Sequence, residues 1–135
     1  MRLVADANNL LSAVLGGRAK LIVEHPKVEE VLTAAPTFGE VEEYVPVLAR
    51  KKRIPAELLL LTLAALPVTV IDTPRYSSSL ARARKLIGGR DPDDIDILAL
   101  ALHLRLPLWS NDRDFEGTGV QLLTTEALLR QLRII

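Results

Sequence analysis

Two rhythms of apolar residues alternate along the chain. Short runs rich in apolar and β-branched residues, Leu3–Ala5, Val31–Ala34, Val68–Ile71, Pro107–Trp109 and Val120–Leu123, have the length of buried strands. Between them lie longer stretches with helical spacing. Leu10, Leu11 and Val14 define one that stops at Gly16 and Gly17, and Ala19–Glu24 is a short second one closed by Pro26. Phe38, Val41, Val45 and Leu48 mark a helix expected to start with Thr37 as its cap and to kink or break before Pro46. Pro55–Leu66, Pro74–Ile87 and Thr125–Leu132 read as further helices, with Asp72 as a cap before Pro74. Val28–Ala35 fits either period by itself, and the surrounding alternation selects a strand near Val31–Ala34.

The stretch from Asp91 to Phe115 stands out. Ile95–Trp109 is apolar except for Asp96, His103, Arg105 and Pro107, which predicts a helix buried nearly all round followed by a short core strand. Asp91 suits an N-cap, Pro92 the first helical position, and Asp93 and Asp94 the first turn. Capping explains one or two of these acids. It does not explain why Asp112 and Asp114 follow the next strand.

Strands that alternate with helices predict an α/β fold: a three-layer α/β/α sandwich around a mostly parallel sheet of four or five strands, joined by right-handed crossovers. The 135 residues, 49% of them hydrophobic, suit a single domain spanning 1–135. The longest uncharged stretch, Leu58–Ile71, contains Pro67 and is shorter than the roughly 20 residues a membrane span requires. No membrane association is expected. The chain opens on strand-like Arg2–Ala5 with no basic-then-apolar leader, so a cytoplasmic location is expected.

Charge and composition narrow the chemistry. Seventeen basic and 17 acidic residues cancel, so any nucleic-acid contact must rest on local patches. The absence of cysteine excludes disulfides and thiolate metal sites, and two histidines are a poor basis for zinc. An all-carboxylate centre would take a hard ion, magnesium or manganese. Ligands of parallel α/β sheets bind beyond the carboxyl ends of the strands. Asp6 and Asp112 each follow a strand at that edge, while Asp94 and Glu40 lie near helix starts, so the four are expected to converge. Clustered carboxylates repel one another and resist ionisation, a conflict that a divalent cation removes. Such a site points to metal-assisted hydrolysis of phosphodiesters.

Four segments, VADANNLLSAVL, FGEVEEYV, DPDDIDILALAL and LWSNDRDF, resemble in order the motifs of the PIN domain family, the small nuclease fold of many VapC-type toxins and of RNA-processing enzymes. The resemblance spans essentially the whole chain. It implies that Asp6, Asp94 and Asp112 are metal-binding acids, and it makes Glu40 the best match to the family's glutamate, with Glu43, one turn away, as the alternative. Asp91 lies one turn before Asp94 and can assist, although capping also accounts for it. Asp96 points to another face. Asp114 either orients groups around the metal or forms a turn, and Asn8, Ser12, Ser110 and Asn111 match small polar positions of the family that can hydrogen-bond a ligand or serve as caps.

The implied substrate is single-stranded or structured RNA, held by Arg82, Arg84, Lys85, Arg90 and Arg113 around the acidic edge. The implied activity is that of a Mg²⁺- or Mn²⁺-dependent endoribonuclease, as in the toxin of a toxin–antitoxin pair, with an antitoxin protein and a second copy of the chain as candidate partners. The alternative is a catalytically silent module of the same fold that binds RNA or protein. An aspartyl-nucleophile phosphatase would want a second aspartate where Asn8 stands. His103 reads as a core or surface-edge residue rather than a general base, and Trp109 as core rather than a base-stacking platform.

Overall fold

The structure, a computed structural model, describes residues 1–135. Five parallel strands, β1 (Arg2–Ala5), β2 (Glu30–Ala34), β3 (Val68–Ile71), β4 (Leu108–Trp109) and β5 (Leu122–Leu123), form one sheet in the order β3-β2-β1-β4-β5. Seven α-helices connect or follow them: α1 (Ala7–Val14), α2 (Arg18–Val23), α3 (Ala35–Lys52), α4 (Ala56–Ala65), α5 (Leu80–Ile87), α6 (Ile95–Leu104) and α7 (Thr125–Gln131). None is long and apolar enough to cross a membrane.

The period of two in the strands builds both cores. Leu3, Ala5, Val31 and Trp109 face α1, α2, α3, α4 and α7, while their neighbours Val4, Leu32, Ala34 and Leu108 face α5 and α6. Strands covered on both faces read as nearly continuous apolar runs, as β1 and β4 do, whereas the edge strand β3 leaves Thr69 and Val70 exposed. Val4 pairs with Leu32 on one side and Leu108 on the other. The connections leaving β1 run outward to β2 and β3, and the chain then returns to place β4 against β1's other side. The crevice between β1 and β4 is therefore the topological switch point, where ligands of such sheets bind.

Three local expectations are corrected. The third helix starts directly from β2, with Ala34 at the cap position and Pro36 in the first turn, so Thr37 is buried inside the helix instead of capping it. That helix also runs unbroken through Pro46. Proline removes one backbone bond, a cost of about 3 kcal/mol, but Val41, Val45, Leu48 and Ala49 are buried on either side of it and hold the axis together. The Pro74–Ile87 segment is not one α-helix: 3₁₀ turns at Thr73–Arg75 and Ser77–Ser79 precede α5. The serine run competes for backbone partners, with Ser77 Oγ donating to the Pro74 carbonyl at 3.2 Å, and Asp72 makes no side-chain cap bond. His103 lies at the exposed edge of α6, its Nδ1 3.2 Å from Ser79 Oγ.

Candidate functional site

The chain leaves β1 and β4 at the same edge, and each exit carries an aspartate. Asp6 caps α1, accepting the Asn9 amide at 3.0 Å on Oδ1, while its Oδ2 accepts a hydrogen bond from Ser110 Oγ. The Asp112 amide donates to that same Ser110 oxygen at 3.0 Å, and Asp112 in turn accepts the Asp114 amide at 2.8 Å. Ser110 is fully buried and so ties the loops after β1 and β4 together. At the start of α6, Asp91 caps the 3₁₀ turn Pro92–Asp94 by accepting the Asp93 amide at 3.1 Å. Consecutive turns of a 3₁₀ helix eclipse residues i and i+3, which puts Asp91 and Asp94 on one side.

Carboxylate oxygens of Asp91, Asp94 and Asp112 come within 4.8 Å of one another. Asp94 Oδ2 is completely buried and has no hydrogen-bond partner. Burial, then the Asp91 carboxyl, then the charges of Asp112 and Asp6 push Asp94 up to about 8. Burial likewise raises Asp6, against the lowering effect of its bonds from Ser110 and Asn9, and Asp112 adds to the rise. The four ion pairs of the molecule, Met1–Glu29, Arg2–Glu30, Lys20–Glu24 and Glu126–Arg130, involve none of these acids. The cluster thus carries its repulsion without a protein cation, and its unpartnered buried oxygen and all-oxygen donor set fit a hard divalent ion.

Not every expected residue enters this cluster. Asp6 lies beside the triad, with both of its oxygens already engaged. Asp91, expected only to assist, is a full member. Glu40 is exposed on α3 in a hollow with Asn8, Leu11 and Tyr44, outside the triad. Its carboxyl is nevertheless raised by burial and by the negative field of Asp93, Asp91, Asp96 and Glu43. Glu43 and Ser12 are exposed, and Asp114 is half-buried. Asp96 accepts the Tyr76 hydroxyl at 2.6 Å, which, after burial, helps to push Tyr76 up to about 12.

The basic candidates divide. Arg113 lines a hollow beside Asp112, and Arg90, near Asp91, folds back onto the Leu86 carbonyl at 3.1 Å. Arg84 and Lys85 are exposed on α5. Arg82 lies elsewhere, at the amino ends of β4 and β5, because α5 runs back toward the acidic edge only after passing it.

Sequence reasoning overlooked a partly buried polar hub that carries this edge. Asn9 Nδ2 donates to the Trp109 carbonyl at 2.9 Å, and Thr125 Oγ1 donates to Asn9 Oδ1 at 3.1 Å. The same hydroxyl accepts from Trp109 Nε1 at 3.0 Å and Asn111 Nδ2 at 3.1 Å, which uses its full donor and acceptor capacity. Asn111 Oδ1 then takes the Thr125 amide at 2.8 Å. Asn111 therefore braces the start of α7. The available signal was an amide on the buried face that Asn9 shares with Leu10, Ala13 and Val14.

A family model described as PIN domain matches residues 4–133. No curated protein matches the sequence. Among solved structures, PAE2754 from Pyrobaculum aerophilum is similar at TM-score 0.70 and 20% identity, covering 100% of this chain and 91% of that one. VapBC2 from Rickettsia felis, bound to a DNA fragment from its promoter, is similar at TM-score 0.67 and 14% identity, over 92% of this chain and 98% of that one. VapC20 of Mycobacterium tuberculosis, a toxin that cleaves the sarcin-ricin loop, is similar at TM-score 0.60 and 17% identity, over 87% of this chain and 95% of that one. A switch-point crevice edged by carboxylates, a fold shared with these solved structures and a family model over nearly the whole length agree: the chain belongs to the PIN domain family.

Proposed function

We propose that this PIN domain is a Mg²⁺- or Mn²⁺-dependent endoribonuclease and the toxin of a toxin–antitoxin pair. The observation that carries the reading is Asp94: a buried carboxylate oxygen without a partner, among acids that no protein cation neutralises. Asp91, Asp94 and Asp112 would hold the ion, with Asp6 beside them. When bound, the ion supplies charge neutralisation, activation of water and polarisation of the phosphoryl oxygen.

The chain's own groups then have defined tasks. Ser110 keeps the Asp6 carboxylate turned toward the edge and fixes the Asp112 loop, so the acids are placed before substrate arrives. The hub around Thr125 holds both strand exits at one spacing. Arg113 and Arg90 lie nearest in sequence to the acids and would contact phosphates flanking the cut, and Arg84 and Lys85 would extend that contact along α5. Glu40, exposed on α3, would influence the incoming strand or the ion from outside the triad, with Asn8 beside it.

RNA as substrate and an antitoxin as partner are supported by the similar structures, which include a toxin–antitoxin complex and a toxin that cleaves the sarcin-ricin loop. That role places the protein in the cytoplasm, where its target is. A homodimer is compatible with the leucines exposed on α4. The test is cleavage of a mixed-sequence RNA by wild type and Asp94→Asn with Mn²⁺, Mg²⁺ or a chelator. Metal-dependent cutting lost in the folded variant is expected; undiminished cutting by that variant would sink the assignment, and RNA binding without cleavage in any metal would favour the silent module.

A further inference from the structure

The acids at the amino end of the sheet, Glu29 and Glu30, are paired with the Met1 amino group and Arg2, and the part of that end built by β4 and β5 is basic. Where the chain enters β4 and β5, Arg82, Arg105, Pro107, Gly119, Val120 and Gln121 contribute to a hollow of about 310 Å³. Its lining includes two guanidinium groups and no carboxylate. Neither arginine belongs to an ion pair, and the arginine side chains that do donate hydrogen bonds within the protein are Arg2, Arg90 and Arg130. The Arg82 guanidinium lies 3.7 Å from the place a Cβ would occupy on Gly119, whose φ of +91° suits glycine. The amides of Gly119 and Val120 donate to no backbone acceptor. The charged groups of the hollow are both guanidinium donors, and the free Gly119 and Val120 amides add to them beside the neutral side-chain amide of Gln121.

The surrounding chain reinforces this field. Residues 73–90 contain Arg75, Arg82, Arg84, Lys85 and Arg90 and no acid, and residues 97–111 contain His103 and Arg105 and no acid. The end of α6 opposes them with a partial charge of only about half a unit. A planar guanidinium pairs with phosphate through two parallel hydrogen bonds, and two of them around one concavity select an oxyanion over other ligands. Asp94 and Arg105 cap opposite ends of α6, so acid cluster and hollow stand ~16 Å apart at 1.5 Å per residue. A stacked strand covers that distance in about five nucleotides at roughly 3.4 Å each.

We propose that this hollow is a distal phosphate subsite, in which Arg82 and Arg105 grip the backbone of single-stranded RNA about five nucleotides from the phosphate presented to the carboxylates. The inference rests on the ribonuclease reading. It gives the acidic edge, which repels phosphate, a remote hold that draws the strand in and sets its register.

The test compares wild type, Arg82→Gln, Arg105→Gln and the double variant, each confirmed folded by thermal melting. Binding to a 12-nucleotide and a 3-nucleotide RNA is measured in chelator across a salt series. The double variant should lose roughly tenfold in affinity for the longer RNA, with its log–log salt slope reduced by about 1.4, and bind the shorter RNA like wild type. Equal affinities and slopes for the longer RNA overturn the subsite. Should wild type neither bind RNA in chelator nor cleave it with Mn²⁺, the ribonuclease reading fails separately, and a titration with inorganic phosphate judges the hollow itself. Shifts of the Arg82 and Arg105 Nε–H resonances would keep it as an oxyanion site; their silence would remove it.

Discussion

Asp94→Asn should make the metal-free protein more stable, and only at higher pH. The carboxyl of Asp94 titrates near 8 in the fold against an ordinary 3.8, chiefly because of burial and the Asp91 carboxyl. Between those values the native state holds a proton that the unfolded state releases, so unfolding free energy falls as pH rises through the window. At pH 7 about three units of that shift are in play, an upper bound of roughly 4 kcal/mol at about 1.4 kcal/mol per unit. Asp94 is only half-buried, and solvent screening reduces the effect to about 2 kcal/mol. Asparagine is neutral throughout. Urea unfolding in chelator should therefore show no difference between wild type and variant near pH 4, an advantage for the variant that grows with pH, and a plateau near pH 8. Asp6, also raised, tilts both curves in the same direction. Adding Mn²⁺ should reverse the order, because an ion that binds the native state stabilises it by mass action and the variant has lost a ligand. A variant that is less stable than wild type by the same amount at every pH would refute the reasoning.

Other substitutions test separate parts of the edge. Asp91→Asn should weaken Mn²⁺ binding, read by calorimetry, by at least roughly tenfold, whereas Glu40→Gln, outside the triad, should weaken it less. The reverse order would mean that Glu40 and not Asp91 holds the ion. Ser110→Ala removes a bond that lowers the Asp6 pKa, so the acid limb of the pH–rate profile should move to higher pH, and an unmoved limb would detach Asp6 from the reaction. Thr125→Val strands Trp109 Nε1 and Asn9 Oδ1 in a partly buried place and should cost about 2–4 kcal/mol in chemical unfolding. A loss below about 0.5 kcal/mol would show that water replaces the hydroxyl without penalty.

The fold was legible because its central strands β1, β2 and β4 are buried on both faces and most of its helices on one. That contrast leaves apolar runs of strand length separated by 3.6-residue periods, and from it the sheet edge carrying Asp6 and Asp112 follows without further information. Errors arose where tertiary packing overrode a local preference. Pro46 breaks a helix in isolation, but here the buried residues around it outweigh one missing bond. The segment after Pro74 has helix-like apolar spacing, yet its serines and the buried Tyr76 favour 3₁₀ turns.

At the site, the ranking of the acids turned on geometry finer than spacing. Asp91 and Glu40 are both plausible neighbours of Asp94 on paper, one close in sequence and the other brought near by a neighbouring helix. What separates them is the turn at Pro92–Asp94, because a 3₁₀ repeat stacks Asp91 directly over Asp94 while α3 leaves Glu40 facing solvent. Ser110 and Thr125 were harder still, since their roles depend on β4 being inserted beside β1, a pairing across a hundred residues that no local pattern encodes. At the other end of the sheet, α5 packed on α6 brings Arg82 to Arg105, and β4 follows directly from that arginine. Because β4 carries Ser110 and Asp112 at one end and starts from the Pro107 wall of the hollow at the other, a substitution that loosened β4 should damage the acid edge and the basic hollow together.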